Sequence, residues 1–180
     1  MADNFHARLL RKAIPATQTE ACTAYIGAVV LGMNDALVEM TGALAGLTMA
    51  LGNNRLIALA GLITGVAATL SMTASEFLAE EAETDARRPC VAAMCTGVTY
   101  LLMVSILLAP YLFLSSPMGA LALCLGLAAL IIFVFTFFVA RLRKTRFLPY
   151  FLRMLTISFS VSALAFGISW LARKLWGIDA

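Results

Sequence analysis

The chain consists of five long apolar stretches separated by short polar breaks. Each stretch has about 20 or more mostly apolar residues, the length that an α-helix needs to cross a bilayer. The breaks are rich in Gly, Asn, Pro, Ser and charged residues, which favour turns and helix ends. The pattern predicts membrane-spanning helices at about 25–51, 55–83, 91–114, 118–140 and 150–172, with neighbouring helices antiparallel because their connections are short.

Composition supports this fold class, an all-α integral membrane protein. Hydrophobic residues make up 62% of the chain and charged residues 13%, whereas a soluble domain has about 45–50% and about 25%. We expect a cytoplasmic N-terminal segment over 1–20, which could form a helix on the membrane surface, and a five-helix transmembrane domain over 21–180. The chain has a single histidine, His6, which excludes a His-rich metal site. Its four cysteines are scattered, and their spacing indicates neither a zinc site nor a disulfide framework.

Lysine and arginine are distributed unequally between the two sides of the predicted bundle. The side that holds the N-terminus, the second loop and the fourth loop carries ten of them, and the other side carries three. Basic residues concentrate on the cytoplasmic side of membrane proteins. The N-terminus is therefore predicted to be cytoplasmic and the C-terminus to lie outside the cell or in an organelle lumen.

The first span contains acids where a membrane helix should be apolar. Its segment GMNDALVEMTGALAGLTMAL, residues 32–51, places Asp35 and Glu39 one helical turn apart. At 100° per residue, Gly42 and Gly46 fall within about 40° of Asp35. Gly42-x-x-x-Gly46 is a small-residue pattern that lets two helices approach closely. One face of the helix is thus predicted to carry both acids and a packing surface.

The second span repeats this design nearer the cytoplasm. Gly61-x-x-x-Gly65 is again a close-packing pattern. Beyond it, a thioether and three carboxylates share a stripe about 80° wide, whereas Glu81 lies off that stripe. The residues of the stripe are Met72, Glu76, Glu80 and Glu83.

The energetic cost of the acids indicates what they do. An acid at the centre of a spanning helix costs about 2.5–3.5 kcal/mol on the insertion scale, and no Lys or Arg within a span is placed to neutralise Asp35 or Glu39. They must therefore face a hydrated cavity, hold a proton or hold a cation; in the plainer interpretation each is protonated and hydrogen-bonded between helices. Carboxylates with a thioether suit a divalent transition metal, and metal binding displaces protons from its ligands.

These residues resemble the vacuolar iron transporter family, proton-coupled exporters of Fe²⁺ of which some members carry Mn²⁺. The similarity lies in Asn34-Asp35-Ala36-Leu37-Val38 of the first span and in Ser71-Met72-Thr73-Ala74-Ser75-Glu76-Phe77 of the second. The motifs cover about a third of the chain, and the last three spans agree only in hydropathy and number.

The resemblance implies a homodimer of five-helix protomers with a metal path between the subunits, lined by the first helix. It implies that Asp35 and Met72 bind metal inside the membrane and that Glu76 captures it at the cytoplasmic mouth. With the residues found by spacing, the predicted metal-binding set is Asp35, Glu39, Met72, Glu76, Glu80 and Glu83. The predicted activity is export of Fe²⁺ from the cytosol in exchange for protons. Mn²⁺ and other divalent metals are further candidate substrates. We expect no enzymatic activity, resident cofactor or nucleic-acid partner; the partners are metal ions, protons, lipids and a second copy.

Two features depart from the family pattern. Ala36 occupies a position where the family usually has glycine. The soluble acidic domain that plant and parasite members carry between the second and third spans is also missing, since only about a dozen residues separate Glu76 from the third span. Glu80, Glu81 and Glu83 are what remains of an acidic mouth. The small size favours a prokaryotic cell membrane; in a eukaryote the vacuolar membrane is expected.

Two other functions fit parts of the pattern. A small proton-coupled exporter of organic cations would also use an acid in its first helix, but such a pocket usually has aromatic side chains beside the acid. A membrane assembly subunit without transport activity would explain the glycine faces but not the acids. The residue types leave the choice among Fe²⁺, Mn²⁺, Co²⁺ and Zn²⁺ open.

Overall fold

A computed structural model describes residues 18–82, 89–143 and 146–177. Five helices account for nearly all of them: α1 (Gln18–Leu51), α2 (Asn54–Ala82), α3 (Pro89–Phe113), α4 (Pro117–Arg143) and α5 (Phe147–Trp176). All five are long and apolar enough to cross a membrane, and the described residues include no strand. The predicted all-α membrane fold is therefore confirmed.

The helix bounds differ from the predicted ones mainly at the start of α1. This helix begins at Gln18, although its apolar span begins at Tyr25. Hydropathy detects the part of a helix that enters the bilayer, whereas the backbone can continue its hydrogen-bonded turns into a polar segment. Most of the predicted N-terminal segment, residues 1–17, lies outside the described residues.

The predicted turns end and begin the helices as their residue types require. Gly52 follows α1 with φ +60°, a left-handed conformation that glycine adopts without strain. The side-chain oxygen of Asn53 then accepts hydrogen bonds from the backbone N–H groups of Arg55 (2.9 Å) and Leu56 (3.3 Å). At the start of α4, the hydroxyl of Ser116 accepts the N–H of Gly119 at 3.3 Å. These contacts satisfy N–H groups that have no partner within the helix.

Helix α1 is the centre of the bundle because it contacts all four other helices. Its most extensive partner is α5, and α2 packs chiefly on α3. The core between them is apolar and includes the fully buried side chains of Leu37, Met40 and Leu44 from α1. Large apolar side chains cover the outer faces of the helices, as expected of surfaces that meet lipid.

The glycine pair of α1 brings this helix against α5. A methyl group added to Gly42 would lie 2.8 Å from a methyl carbon of Val161, and one added to Gly46 would also meet α5. Beside them, the buried hydroxyl groups of Thr41 and Ser158 are hydrogen-bonded across the two helices at 3.0 Å. The α1–α5 contact therefore depends on small side chains and on one buried polar pair.

The glycine pair of α2 brings this helix against α3. A methyl group added to Gly61 would lie 2.8 Å from Leu108, and one added to Gly65 would lie 2.5 Å from Val104. Leu44 and Met40 of α1 approach the same two glycines. Both close-packing patterns found in the sequence are thus occupied by contacts within a single protomer.

Candidate functional site

An open groove runs along the face of α1 that lies between α2 and α5. Its volume is about 560 Å³. Small side chains line much of it, and Glu39 is its only charged lining residue among the described parts of the chain. Its lining residues are Glu39, Gly42, Ala43, Gly46, Leu47 and Ala50 of α1, Thr64 of α2, and Val161, Ala165, Ile168 and Ser169 of α5.

Glu39 is exposed in this groove although it lies inside an apolar span. One of its carboxylate oxygens accepts a hydrogen bond from the hydroxyl of Tyr100 at 2.5 Å. Tyr100 belongs to α3 and is fully buried. The buried hydroxyl of Tyr100 therefore holds the carboxylate from the core side, while the side chain of Glu39 also lines the groove.

Asp35 lies one turn before Glu39 and is half-buried. Residues four positions apart are neighbours on the surface of a helix, so the two carboxyl groups lie on the same side of α1. The preceding residue, Asn34, donates a hydrogen bond from its side-chain amide to the hydroxyl of Tyr150 on α5 at 3.3 Å. Bonds to α3 and α5 thus fix α1 on either side of the acidic pair.

The predicted residues of α2 lie in its second half. Met72 is half-buried and packs against the apolar core. Glu76 and Glu80 are also half-buried, whereas Glu81 is exposed, in agreement with its place off the predicted stripe. Glu83 lies outside the described residues.

Two carboxylates do not make a complete metal site. Within residues 18–82, 89–143 and 146–177, no three His, Cys, Asp or Glu side chains are grouped so that they could hold a metal ion. A divalent transition metal takes four to six ligands. A cation at Asp35 and Glu39 would need further ligands from thioether sulfur, hydroxyl or carbonyl oxygen, water, or a second copy of the chain.

Sequence reasoning missed Tyr100 and Thr64. Both stand in predominantly apolar helices, and neither belongs to a pattern with recognised spacing. The only available signal for Tyr100 was a phenol within a span, since a buried Tyr hydroxyl usually has a hydrogen-bond partner. Its partner could not be read from the α3 sequence, because Glu39 lies 61 positions away.

The first two helices are similar to a known protein family. A family model described as the VIT family matches residues 26–88. This region contains most of α1, the whole of α2 and all six predicted metal-binding residues. No curated protein matches the chain.

Proposed function

Since the chain belongs to the vacuolar iron transporter (VIT) family and is therefore a metal-ion transporter, we propose that it exports Fe²⁺ from the cytosol in exchange for protons. Mn²⁺ and other divalent metals are secondary candidate substrates. The observation that carries the proposal is a pair of acids within an apolar span: Glu39 lines an open groove, and Asp35 lies half-buried one turn before it.

The acidic pair favours a cation as the transported species. Each acid costs about 2.5–3.5 kcal/mol at the centre of a membrane helix, and a bound divalent cation would offset that cost by pairing with both charges. None of the described residues that line the groove is aromatic. Organic cations are usually bound by aromatic faces, so this lining supports a metal ion over an organic cation.

Proton exchange follows from the chemistry of the proposed ligands. A carboxylate must lose its proton before it binds a metal ion, so metal binding releases protons. When the metal leaves on the far side, the acids can take up protons there and return in neutral form. An inward proton gradient would then drive metal outward, with Asp35 and Glu39 carrying both species in turn.

A homodimer would complete the site. Two copies that face each other through the α1 groove would bring two Asp35 and two Glu39 side chains to one seam, which gives four carboxylates. We assign Met72 as an additional soft ligand inside the membrane and Glu76, Glu80 and Glu83 to metal capture at the cytoplasmic mouth. Two observations support this arrangement: Glu39 is exposed, and the described residues of one protomer include no group of three His, Cys, Asp or Glu side chains that could hold a metal ion.

The test is a flux assay in proteoliposomes with a pH gradient imposed in each direction and each metal supplied separately. Asp35→Asn should abolish metal-for-proton exchange while the protein still assembles and keeps its thermal stability. The matched control is Glu81→Gln, which removes a carboxylate from an exposed position outside the stripe. Undiminished exchange in Asp35→Asn would remove the acidic pair from the mechanism. Absence of metal flux in the wild-type protein would instead favour an assembly role.

A matched pair of substitutions, Met72→Leu and Met40→Leu, tests whether the sulfur of Met72 is a metal ligand. Met72→Leu keeps the apolar volume but removes the sulfur, and we expect Fe²⁺ transport to fall while Mg²⁺, a hard cation, gains relative to it. Met40→Leu makes the same change at a fully buried core position of α1 and should leave selectivity unchanged. Equal selectivity in the two variants would show that sulfur is not a ligand.

A further inference from the structure

Four phenylalanine rings form a cluster where α4 ends and α5 begins. Phe133 and Phe137 of α4 meet Phe147 edge-on, with ring centroids 5.3 and 6.0 Å apart. Phe151 stacks on Phe147 at 5.4 Å and meets Phe133 edge-on at 5.7 Å. Phe133 and Phe137 each expose nearly half of their surface, 47% and 48%. The cluster is thus a partly open aromatic surface at one end of the bundle.

Arginine side chains border this aromatic surface. The guanidinium carbon of Arg141 lies 5.4 Å from the ring centroid of Phe137. Arg146 is exposed and directly precedes Phe147 in the chain. The sequence places Arg143 and Lys144 between them. Four basic residues therefore occur within six consecutive positions of the sequence, and Arg141 lies beside an exposed ring.

Among the described residues, Arg141 and Arg146 have no carboxylate partner. The chain contains no Asp or Glu between Asp85 and Asp179, so every charged side chain of α4 and α5 is basic and α3 has none. Neither Arg141 nor Arg146 forms an ion pair with a carboxylate of the described residues. Unpaired positive charge at the end of a spanning helix attracts the negatively charged headgroups of the adjacent leaflet.

We propose that the α4–α5 end of the bundle is a binding site for an anionic phospholipid. Arg141 and Arg146 would bind the headgroup phosphate, since the planar guanidinium group donates paired hydrogen bonds to phosphate oxygens. The acyl chains would lie on the exposed rings of Phe133 and Phe137. This assignment is independent of the groove on α1 and of the transported ion.

The position of the patch selects a lipid rather than a free anion. Arg141 and Phe147 mark the ends of two apolar spans, so the cations lie at headgroup depth and the rings lie at the depth of the acyl chains. A soluble phosphate would contact the arginines alone and leave the aromatic surface uncovered. A phospholipid satisfies the charge and covers the apolar surface at the same time.

The test measures lipid bound to the full-length protein in detergent micelles by native mass spectrometry, with phosphatidylglycerol and phosphatidylcholine of equal chain length. The wild-type protein should bind phosphatidylglycerol preferentially. Arg141→Gln with Arg146→Gln should weaken that binding about 30-fold, the equivalent of about 1 kcal/mol for each basic residue near the surface. Binding of phosphatidylcholine should change little.

The matched control uses a second cation–π pair at the opposite end of α5. Lys174 lies 5.4 Å from the ring centroid of Trp170, and Lys174→Gln should keep the preference for phosphatidylglycerol. Inorganic phosphate at millimolar concentration should not displace the lipid. Equal binding of the two lipids by the wild-type protein, full preference in the double variant, or displacement by inorganic phosphate would each overturn the proposal.

Discussion

Substitution of Gly32 tests whether close contact between α1 and α3 positions the acidic pair. A methyl group on Gly32 would lie 2.5 Å from the backbone oxygen of Thr96 and 3.1 Å from two further backbone atoms of that residue. An ordinary carbon–oxygen contact is about 3.3–3.6 Å, so the helices would have to separate by about 1 Å. Backbone atoms cannot rotate away as a side chain can, and the whole contact must therefore yield.

Overpacking of this kind costs about 1–3 kcal/mol. For a chain of this size each kcal/mol lowers the melting temperature by about 2–4 °C, so Gly32→Ala should lose a few to about ten degrees in detergent. The same separation would disturb the hydrogen bond from Tyr100 to Glu39, because these residues join the same two helices one to two turns further along. Metal flux should therefore fall by more than the loss of folded protein explains.

Gly27→Ala is the matched control, since it makes the same change on the same helix, where the added methyl group would meet no atom within 4 Å apart from the nearby turns of α1 itself. Alanine has a higher helix propensity than glycine by about 0.8–1.0 kcal/mol, so this variant should be at least as stable as the wild-type protein. Melting can be followed by the fluorescence of the two tryptophans on α5 or by size-exclusion chromatography after heating. Equal stability and flux in the two variants would refute the role assigned to the α1–α3 contact.

Three further predictions concern hydrogen bonds and protons. Tyr100→Phe removes the hydrogen-bond donor to Glu39. Because hydrogen bonds to charged groups are worth about 1.5–3 kcal/mol, the KM for metal should rise at least tenfold in the flux assay. An unchanged KM would mean that the bond does not order the carboxylate. A double-mutant cycle with Thr41→Val and Ser158→Ala should give a coupling of about 0.6 kcal/mol in thermal unfolding, the average for hydrogen bonds between membrane helices, and additive effects would argue against that bond. Metal binding should weaken as pH falls because protons compete for the carboxylates, and Asp35→Asn should flatten this dependence in a titration; a pH-independent wild-type affinity would contradict proton exchange.

The spans could be predicted because insertion into a bilayer depends on composition along a segment. Twenty apolar residues must become a helix in lipid whatever their neighbours are, since every backbone polar group has to be satisfied internally. The face shared by Glu39, Gly42 and Gly46 could likewise be predicted, because the helical period alone places these residues on one side of the helix. In the structure they line one groove. The start of α1 at Gln18 could not be predicted, because a polar helical turn has no hydropathy signal.

The sequence could not show which neighbour each face meets. A glycine pair indicates that some helix approaches closely, but the pattern is the same whether that helix is in the same protomer or in another. Gly42 meets α5, and Gly65 meets α3. The role of Tyr100 could not be predicted for the same reason. Its hydrogen bond to Glu39 depends on the packing of α3 against α1, and no local sequence pattern encodes that packing.

The use of both glycine pairs within the protomer limits how a second copy could meet α1. The part of the α1 face that remains open in the groove consists of Glu39, Ala43, Leu47 and Ala50, a stripe with steps of three to four residues that the helical period places on one side. A partner that covered the small side chains of this stripe would therefore also cover the carboxylate. Assembly and metal binding would then act on the same surface, and by linkage each would strengthen the other by the same factor. The acid at the end of the stripe is costly for an isolated protomer in lipid, and in the proposed dimer a partner and a cation together would offset that cost.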